Sequence, residues 1–333
     1  MPQPSEWTPS PAPALPTAGL QRRGAARLAD HLAIARPDHW VKNVFMLPGV
    51  ALALLFVRPG LDALLWQTVL GFVSVCLSAS ANYTINEFID GEFDCFHPLK
   101  KSRPAAQGLL DARLVASQYA ALAIASLALA WLVGRSFTIA TGVLLVMGIL
   151  YNARPIRTKD RPYLDVLSEA VNNPLRLLLG WFTLVDSMLP PSSILMAYWM
   201  GGAFLMAVKR YTELRSIGEG AAAGNYRRSF RHYTEHRLLL SSFFYAICAA
   251  FFLGVFLIKY RIEFLLTFPL FSLMFTWYLA IGLKPNSAAQ APERLFTERA
   301  FIVFVAVVCL AIAVLFEIDI PALHILVEPI SVH

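Results

Sequence analysis

The sequence predicts an all-α protein that crosses a membrane several times. Of the 333 residues, 57% are hydrophobic and 15% are charged. The apolar residues fall in long blocks, and about 20 helical residues are enough to cross a hydrocarbon core of about 30 Å. The alternating pattern of barrel strands is absent, and the blocks are too long for such strands. These observations exclude a disordered chain, a coiled coil and a small disulfide-stapled module.

Nine apolar blocks are long enough to be membrane spans. They cover residues 40–57, 62–89, 110–133, 136–152, 163–185, 192–211, 236–258, 263–283 and 300–320. Residues 1–24 are rich in Pro, Ala and Ser without any periodicity, which predicts a disordered cytoplasmic tail. The remainder, residues 25–333, is expected to form a single transmembrane domain.

The distribution of Lys and Arg predicts the orientation in the membrane. With alternating spans, 23 of the 28 Lys and Arg residues fall on the side of the N-terminus, four fall on the other side, and Arg176 lies inside the fifth span. Cytoplasmic loops are enriched in these residues, so the N-terminal side is expected to face the cytoplasm of an inner (plasma) membrane. The net charge of +6 has the same origin and does not indicate nucleic-acid binding.

The second span ends in a group of oxygen-bearing side chains. Asn86, Asp90 and Asp94 are four residues apart, so a helix places them along one face. We call these three residues and Glu87 the acidic stripe. Hard oxygen ligands suit Mg²⁺, which keeps several waters and takes phosphate oxygens as further ligands. The alternative is a helix end with solvated acids.

Two basic loops follow on the same side of the membrane. The first contains Lys100 and Arg103, and Arg103 is the better candidate for a phosphate ligand because Pro104 stiffens its loop. The second carries four bases and then two carboxylates one helical turn apart: Arg154, Arg157, Lys159, Arg161, Asp165 and Glu169. This second loop resembles an anion-binding site facing the acidic stripe. Bases that only set the membrane orientation are the alternative.

Three further places on the chain carry polar residues at or inside the spans. Arg176 lies within a span, where an Arg is energetically costly unless it faces a partner or a water-filled cavity. The alternative to a functional role is a structural ion pair. The start of the first span carries Lys42 and Asn43, and the end of the sixth carries Lys209 and Arg210. All four are expected on the cytoplasmic side, at the same level as the acidic stripe. For Lys209, the alternative is a helix-end pair with Glu213.

Together these residues resemble the UbiA superfamily of intramembrane prenyltransferases over residues 30–320. The first polar motif of this family, Asn-Asp-x-x-Asp-x-x-x-Asp, is met by Asn86, Asp90 and Asp94, with Glu87 in place of its first Asp. Within the superfamily, the sequence is most similar to enzymes that transfer phosphoribose to polyprenyl phosphates. The similar stretches are Arg36–Asn43, His97–Pro104, Tyr151 with Lys159 and Asp165, and Lys209–Leu214.

The resemblance implies a nine-helix bundle that transfers 5-phosphoribose from phosphoribosyl diphosphate to polyprenyl phosphate, with Mg²⁺ as cofactor. It implies catalytic roles for Asp90, Asp94 and Lys159, and metal binding by the acidic stripe. Substrate-binding roles are implied for Lys42, Asn43, Lys100, Arg103, Tyr151, Arg161, Asp165, Arg176, Lys209 and Arg210. The product would feed a lipid-linked arabinosyl donor, used for cell-wall arabinan or for an arabinosylated nodulation factor.

Two other functions remain open from the sequence. One is transfer of a prenyl group from a prenyl diphosphate to an aromatic quinone or haem precursor. The many bases favour phosphoribose transfer, since its donor and acceptor bring three anionic groups whereas a prenyl diphosphate brings one. The other is a transporter with an anion site, which acids at a helix end disfavour. The lipid chain length and a homo-oligomeric state are also left open.

Overall fold

The described part of the chain is helical. The computed structural model describes residues 28–57, 59–96, 100–218, 221–285, 287–290 and 292–324. The predicted tail, residues 1–24, and the His97–Pro98 part of the family motif lie outside the described residues. Within the described ranges the secondary structure consists of α-helices and 3₁₀ helices, without a β-strand.

The α-helices range from one-turn segments to a helix of 34 residues. In chain order they are α1 (Leu28–Ile34), α2 (Leu47–Phe56), α3 (Leu61–Asp94), α4 (Ala112–Val133), α5 (Arg135–Asn152), α6 (Leu164–Ala170), α7 (Asn172–Phe182), α8 (Ser192–Ile217), α9 (Ala221–Tyr226), α10 (Glu235–Tyr260), α11 (Phe268–Leu283), α12 (Arg299–Glu317) and α13 (Pro321–His324). The 3₁₀ helices are Pro37–Met46, Thr158–Asp160, Arg228–Arg231, Ile262–Thr267, Ala288–Gln290 and Pro292–Thr297.

Seven segments of the described chain are long and apolar enough to cross a membrane. They are Leu64–Asp94, Ala112–Val133, Arg135–Asn152, Ser192–Ile217, Glu235–Tyr260, Ile262–Leu283 and Arg299–Glu317. These correspond to the predicted spans two, three, four, six, seven, eight and nine. Large apolar side chains on their outer surfaces are exposed, among them Trp131, Phe251 and Leu310. This arrangement is that of a polytopic membrane protein, whose outer surface faces lipid.

The first, fifth and eighth predicted spans are each divided into two shorter helices. In the eighth, the 3₁₀ helix Ile262–Thr267 leads directly into α11. In the first, the 3₁₀ helix Pro37–Met46 leads directly into α2. In the fifth, α6 ends at Ala170 and α7 begins two residues later. Pro174 has no N–H to donate to the Ala170 carbonyl, which interrupts the hydrogen-bond ladder there. The nine predicted spans are therefore six continuous α-helices and three divided segments in the described chain.

The first and fifth spans pack against each other through glycines. A Cβ added to Gly49 of α2 would lie 2.0 Å from the Leu177 carbonyl oxygen, and one added to Gly180 of α7 would lie 1.9 Å from the Met46 carbonyl oxygen. Only glycine permits backbones to approach this closely. Leu177 and Trp181 of α7 are also buried in the larger apolar core, so α7 lies inside the bundle.

Three connections meet at one end of the bundle. They follow α3, α5 and α8, whose C-terminal ends bring their polar residues together. At this end Asp111 caps α4 by accepting hydrogen bonds from the N–H groups of Arg113 and Leu114, at 2.8 and 3.2 Å. Thr234 caps α10 in the same way, accepting from the Arg237 N–H at 3.2 Å. The ends of the helices thus define a polar layer next to the apolar bundle.

Candidate active site

The acidic stripe lies at the C-terminal end of α3. Because α3 is a continuous helix to Asp94, Asn86, Asp90 and Asp94 share one face as predicted from their spacing. Glu87 and Asp94 are buried, and Asn86 and Asp90 are half-buried. Buried carboxylates need partners of opposite charge, and the neighbouring loops supply them.

The loop between α5 and α6 contacts the first half of the stripe. The Lys159 ammonium group contacts Asp90 and donates a hydrogen bond to the Asn86 Oδ1 at 3.0 Å. Lys159 also donates to the Asn152 Oδ1 at 2.8 Å. It is only 3% exposed, and this burial lowers the pKa of Lys159 to about 8 although the Asp90 carboxylate opposes the shift.

Arg157, on the same loop, is a second partner of the stripe. It has a left-handed backbone conformation, with φ of 33°, and its guanidinium donates to Asp90 Oδ1 at 3.0 Å. Further bonds run to the Asn152 carbonyl at 2.8 Å and to the Asp160 carboxylate at 3.1 Å. The guanidinium also lies over the Phe93 ring, 4.9 Å from its centroid. Arg157 is therefore fixed beside Asp90 from several sides.

The loop between α3 and α4 contacts the second half of the stripe. Arg103 Nη1 lies 2.9 Å from Asp94 Oδ2 and 3.9 Å from Glu87 Oε2. This loop packs tightly on α3 at Gly91, where an added Cβ would lie 2.7 Å from the Ala105 carbonyl oxygen. Gly91 thus permits the close approach that brings Arg103 to the stripe.

The side chains of the stripe carry oxygen ligands of the kind that divalent cations take in proteins. Asn86 and Asp90 already hold one ammonium group between them, and Glu87 and Asp94 share one guanidinium. The four side chains could hold Mg²⁺ through one or two carboxylates, the usual arrangement when water and substrate phosphates complete the shell. Over the described ranges, three potential metal-ligating side chains converge only at the other end of the bundle, at Glu263, Asp319 and His324.

A second polar cluster joins α5, α6 and α8. The Tyr151 hydroxyl accepts hydrogen bonds from Arg210 Nη2 at 3.0 Å and from Arg227 Nη1 at 3.4 Å. Asp165 is fully buried and accepts a hydrogen bond from the Tyr233 hydroxyl at 2.6 Å. The Asp165 carboxylate also lies 3.4 Å from Arg210 Nε. Its oxygens are thus engaged by side chains of the protein, which suits a role in positioning Arg210 and the segment after α9.

Lys100 connects the second cluster to the loop of Arg103. Its ammonium group contacts the Tyr226 hydroxyl and lies 3.7 Å from Glu213 Oε1. Glu213 also accepts a hydrogen bond from Arg210 Nη1 at 2.7 Å. Burial lowers the pKa of Lys100, and the Glu213 carboxylate opposes that shift. Acids and bases from three connections therefore form one continuous layer.

The remaining predicted residues have different surroundings. Asn43 is buried, accepts a hydrogen bond from Arg176 Nε at 3.2 Å and donates to Cys76 Sγ at 3.3 Å. Arg176 is thus joined to an amide, and no described contact pairs it with an acid. Lys209 is half-buried and Arg161 is exposed. The described contacts of Glu213 are to Arg210 and Lys100, so the helix-end pair considered for Lys209 is not formed.

Several residues of the layer were not among the predicted site residues. They are Arg157, Glu213, Tyr226, Arg227, Tyr233 and Ser229, whose hydroxyl donates to Asp165 Oδ2 at 3.1 Å. In the sequence, Arg227 is only one of the 23 bases on the predicted cytoplasmic side. Its contact with Tyr151 joins residues 76 positions apart, and the sequence carries no local signal of that contact. The sequence does carry a signal for the role of Glu213, since this acid lies within one helical turn of two bases, Lys209 and Arg210, at the end of a span.

The helical bundle and its polar end layer define a polytopic membrane protein with a candidate active site at one end. The chain belongs to the UbiA prenyltransferase family, whose sequence model matches residues 45–305. This match confirms the predicted family.

Two relatives and one solved structure illustrate the likeness. The decaprenyl-phosphate phosphoribosyltransferase of Mycolicibacterium smegmatis is 30% identical over 230 residues, which is 68% of each protein. The protein of the same name from Mycobacterium tuberculosis (strain H37Rv) is 32% identical over 204 residues, 60% of this chain and 64% of the relative. A UbiA homolog from Archaeoglobus fulgidus bound to GPP and Mg²⁺ matches with a TM-score of 0.62 and 23% identity, over 84% of this chain and 99% of that one. The structural match confirms the predicted all-α, polytopic UbiA-type fold.

Proposed function

We propose that this protein transfers 5-phosphoribose from phosphoribosyl diphosphate to a polyprenyl phosphate and releases pyrophosphate. The observation that carries the proposal is the number of basic side chains in the layer with the acidic stripe. They are Lys100, Arg103, Arg157, Lys159, Arg210 and Arg227. The relatives named as phosphoribosyltransferases support the same reaction.

The proposed substrates need many cationic partners. The donor carries a diphosphate at C1 and a phosphate at C5, and the acceptor brings a third anionic group. Arg and Lys bind such groups through charge-assisted hydrogen bonds, and Arg adds bidentate geometry. In the structure these bases are neutralised mainly by acids of the same layer, so Mg²⁺ on the stripe would supply the additional positive charge that the donor requires.

The transfer is a substitution at C1 of the ribose. An oxygen of the lipid phosphate forms a bond to C1, while the bond from C1 to the diphosphate oxygen breaks and its electron pair leaves with pyrophosphate. Carboxylates of the acidic stripe, Asp90 and Asp94 first among them, would hold Mg²⁺, which would supply electrostatic stabilisation of this leaving group. Lys159 and Arg103, each beside one half of the stripe, are placed to neutralise phosphate oxygens.

The acceptor phosphate is already ionised near neutral pH, so the step needs no general base. This agrees with a layer in which the acids already have cationic partners. Attack from the side opposite the diphosphate would invert the configuration at C1.

The predicted location is the inner membrane with the layer facing the cytoplasm, where a water-soluble phosphorylated donor is available. The use of the product for an arabinosyl donor stays a prediction.

Prenyl transfer to an aromatic acceptor is the competing function. The A. fulgidus homolog is described with GPP and Mg²⁺, but at 23% identity it shares the fold with this chain and its substrate does not carry over. Membranes containing the protein should be given either labelled phosphoribosyl diphosphate with polyprenyl phosphate or a labelled prenyl diphosphate with an aromatic acceptor. We expect label in the lipid extract only from the first. Incorporation only from the prenyl donor would refute phosphoribose transfer.

A further inference from the structure

Tyr233 lies where the segment between α8 and α10 meets the start of α6. It follows the 3₁₀ helix Arg228–Arg231 and is only 4% exposed. Its hydroxyl accepts a hydrogen bond from the Tyr163 N–H at 2.5 Å and donates one to Asp165 Oδ1 at 2.6 Å. A hydroxyl has one proton to donate, and here it is used on the carboxylate. One phenol therefore holds both a backbone group and an acid of a different segment.

The backbone that Tyr233 holds is in an unusual conformation. Tyr163 has a φ of 64°, which residues with a side chain rarely adopt. Such a conformation persists only where the surrounding structure imposes it. The hydrogen bond to Tyr233 and the edge-on contact of the two rings, with centroids 5.4 Å apart, are such constraints. Because Tyr163 directly precedes α6, its conformation sets where Asp165, in the first turn of that helix, is placed.

The two oxygens of Asp165 have different partners. Tyr233 takes Oδ1, and Oδ2 accepts a hydrogen bond from the Ser229 hydroxyl at 3.1 Å. Oδ2 also lies 3.4 Å from Arg210 Nε and 3.8 Å from Arg227 Nη1. Burial raises the pKa of Tyr233 and the Asp165 carboxylate raises it further, so the phenol stays protonated and donates at neutral pH. The bond from Tyr233 thus fixes which oxygen of Asp165 faces the two arginines.

The two arginines differ in how firmly the protein holds them. Arg210 donates to Glu213 Oε2 at 2.7 Å and to the Tyr151 hydroxyl at 3.0 Å. Arg227 donates to the same hydroxyl at 3.4 Å, and its closest acid among the described residues is Asp165. The Nε of Arg227 is buried without a hydrogen-bond partner in the described part of the chain. The place of Arg227 therefore depends on Asp165, whereas Arg210 has a second acid.

Tyr151 connects Arg227 to the acidic stripe. The Lys159 ammonium group lies over the Tyr151 ring, 5.6 Å from its centroid, and contacts Asp90 of the stripe. One side chain thus separates Arg227 from the base beside the proposed metal ligands. A guanidinium carries five N–H donors, and its planar fork binds phosphate oxygens through parallel hydrogen bonds. Arg227, with donors still unused, is suited to a phosphate group at this place.

We propose that Tyr233 is a positioning residue for the diphosphate of the donor. Acting through Asp165, it holds Arg227 where the guanidinium binds diphosphate oxygens, and the phenol itself does not touch the substrate. This role rests on the proposed function, which supplies the diphosphate. A tyrosine that served only to stabilise the fold would change the melting temperature of the protein and leave the affinity for the donor as it is.

Kinetics with each substrate varied in turn test the role. Tyr233→Phe removes the hydroxyl and keeps the ring, Ser229→Ala removes the donor to the other oxygen of Asp165, and Tyr278→Phe, in the apolar core, is the matched control. We expect Tyr233→Phe to raise the KM for phosphoribosyl diphosphate about 3- to 30-fold, the range for residues that act through others. The acceptor KM and kcat should stay within about twofold. Ser229→Ala should give a smaller rise in donor KM, and the control none.

A double variant tests the path through Arg227. Arg227→Gln alone should raise the donor KM, because it removes the charge that binds the diphosphate. In that background Tyr233→Phe should add less than about twofold, since the group on which it acts is gone. An equal effect of Tyr233→Phe with and without Arg227 would overturn the proposal.

Pyrophosphate binding separates this role from the proposed function, since both candidate reactions release pyrophosphate. Isothermal titration calorimetry of purified protein with pyrophosphate and Mg²⁺ should show about 3- to 30-fold weaker binding in Tyr233→Phe and no change in Tyr278→Phe. If the wild type transfers no phosphoribose but shows this difference, the reaction is wrong and the positioning role stands. Unchanged pyrophosphate affinity in folded Tyr233→Phe would overturn the role. If that variant does not fold, Ser229→Ala takes its place, with the same two outcomes.

Discussion

Lys159 lies where a donor phosphate would meet the acidic stripe. Its ammonium group is shared by Asp90, Asn86 and Asn152, and it is buried. A buried charge is costly unless it is paired and hydrogen-bonded, and these three partners meet that need in the free protein. Arg157 also contacts Asp90, so the carboxylate keeps one cationic partner when Lys159 is lost. The variant is therefore expected to fold and to report on substrate binding.

Lys159→Ala should weaken use of the donor more than use of the acceptor. A charge-assisted hydrogen bond contributes about 1.5–3 kcal/mol, so the donor KM should rise or kcat should fall by about 10- to 150-fold. Steady-state kinetics with each substrate varied in turn measures both effects, and Lys101→Ala, an exposed base in the neighbouring loop, is the control. Unchanged donor KM together with unchanged kcat would show that Lys159 only contributes to membrane orientation.

Asp90→Asn and Asp94→Asn should each abolish transfer while the protein still inserts and folds. Each change keeps the size of the side chain and removes an anionic ligand that Mg²⁺ prefers. Glu92→Gln is the matched control, since Glu92 lies on the same helix turn and pairs with Arg154 at an exposed position. Transfer is assayed across a Mg²⁺ titration. Near-normal turnover of either Asn variant at saturating Mg²⁺ would remove that residue from the metal site.

The bases of the second loop show what the sequence predicts of single residues and what it does not. The cluster of four bases facing the acidic stripe was predictable from composition. The sequence does not predict which of the four bases is buried against the stripe. Arg157 is buried beside Asp90 and Arg161 is exposed, because the left-handed backbone at Arg157 redirects the loop. That conformation depends on contacts with α3 and α5, which lie far away in the sequence.

At the scale of helices, the glycine contact between α2 and α7 sets how the first and fifth spans pack. The carbonyl oxygens of Met46 and Leu177 occupy the positions that side chains would need at Gly180 and Gly49. Any side chain there forces the helices apart. The same two spans carry Asn43 and the segment of Asp165, so their packing also fixes parts of the candidate site.

Gly180→Ala should destabilise the protein, whereas Gly254→Ala should not. The first adds a Cβ 1.9 Å from a backbone oxygen, and the second adds one with nothing within 4 Å. Overpacking costs about 1–3 kcal/mol, while Ala in an unobstructed helix position gains about 0.5–1 kcal/mol over Gly. Thermal unfolding in detergent compares the two variants. Equal melting temperatures would show that α2 and α7 are not in backbone contact.

The broken spans also mark the limit of prediction for helices. Hydropathy located the seven segments that are long and apolar enough to cross a membrane, because an apolar block of sufficient length is a local property of the sequence. The break in the fifth span had a local signal as well, in Asn172, Asn173 and Pro174. The 3₁₀ form of Pro37–Met46 had none, since it depends on packing against α3 and α7. Composition therefore predicts where a span lies, and tertiary contacts decide its helix type.

On the scale of the whole molecule, the charge distribution predicts which end faces the cytoplasm. The bases of the polar layer all belong to the predicted inner side. Arg135, Lys259 and Arg261, of the predicted outer side, lie at the other ends of α5 and α10. Both sets of loops therefore fall at consistent ends of the bundle.

Single cysteines at exposed positions should report this orientation in intact cells. In a background without the four native cysteines, Lys101→Cys and Ile156→Cys should be labelled only by a membrane-permeant reagent. Leu189→Cys, in the exposed connection between α7 and α8, should be labelled by an impermeant reagent as well. The reverse labelling pattern would place the polar layer on the outer side of the membrane, where a cytosolic donor substrate could not reach it.

The product lipid tests the central claim most directly. Purified protein should be incubated with phosphoribosyl diphosphate, polyprenyl phosphate and Mg²⁺, and the lipid extract analysed by mass spectrometry while released pyrophosphate is quantified. The account predicts a polyprenyl phosphate that carries one phosphoribosyl group, formed in equal amount to pyrophosphate and absent with Asp90→Asn. Pyrophosphate release without this lipid, or a prenylated aromatic product when a prenyl diphosphate and an aromatic acceptor are supplied instead, would contradict it.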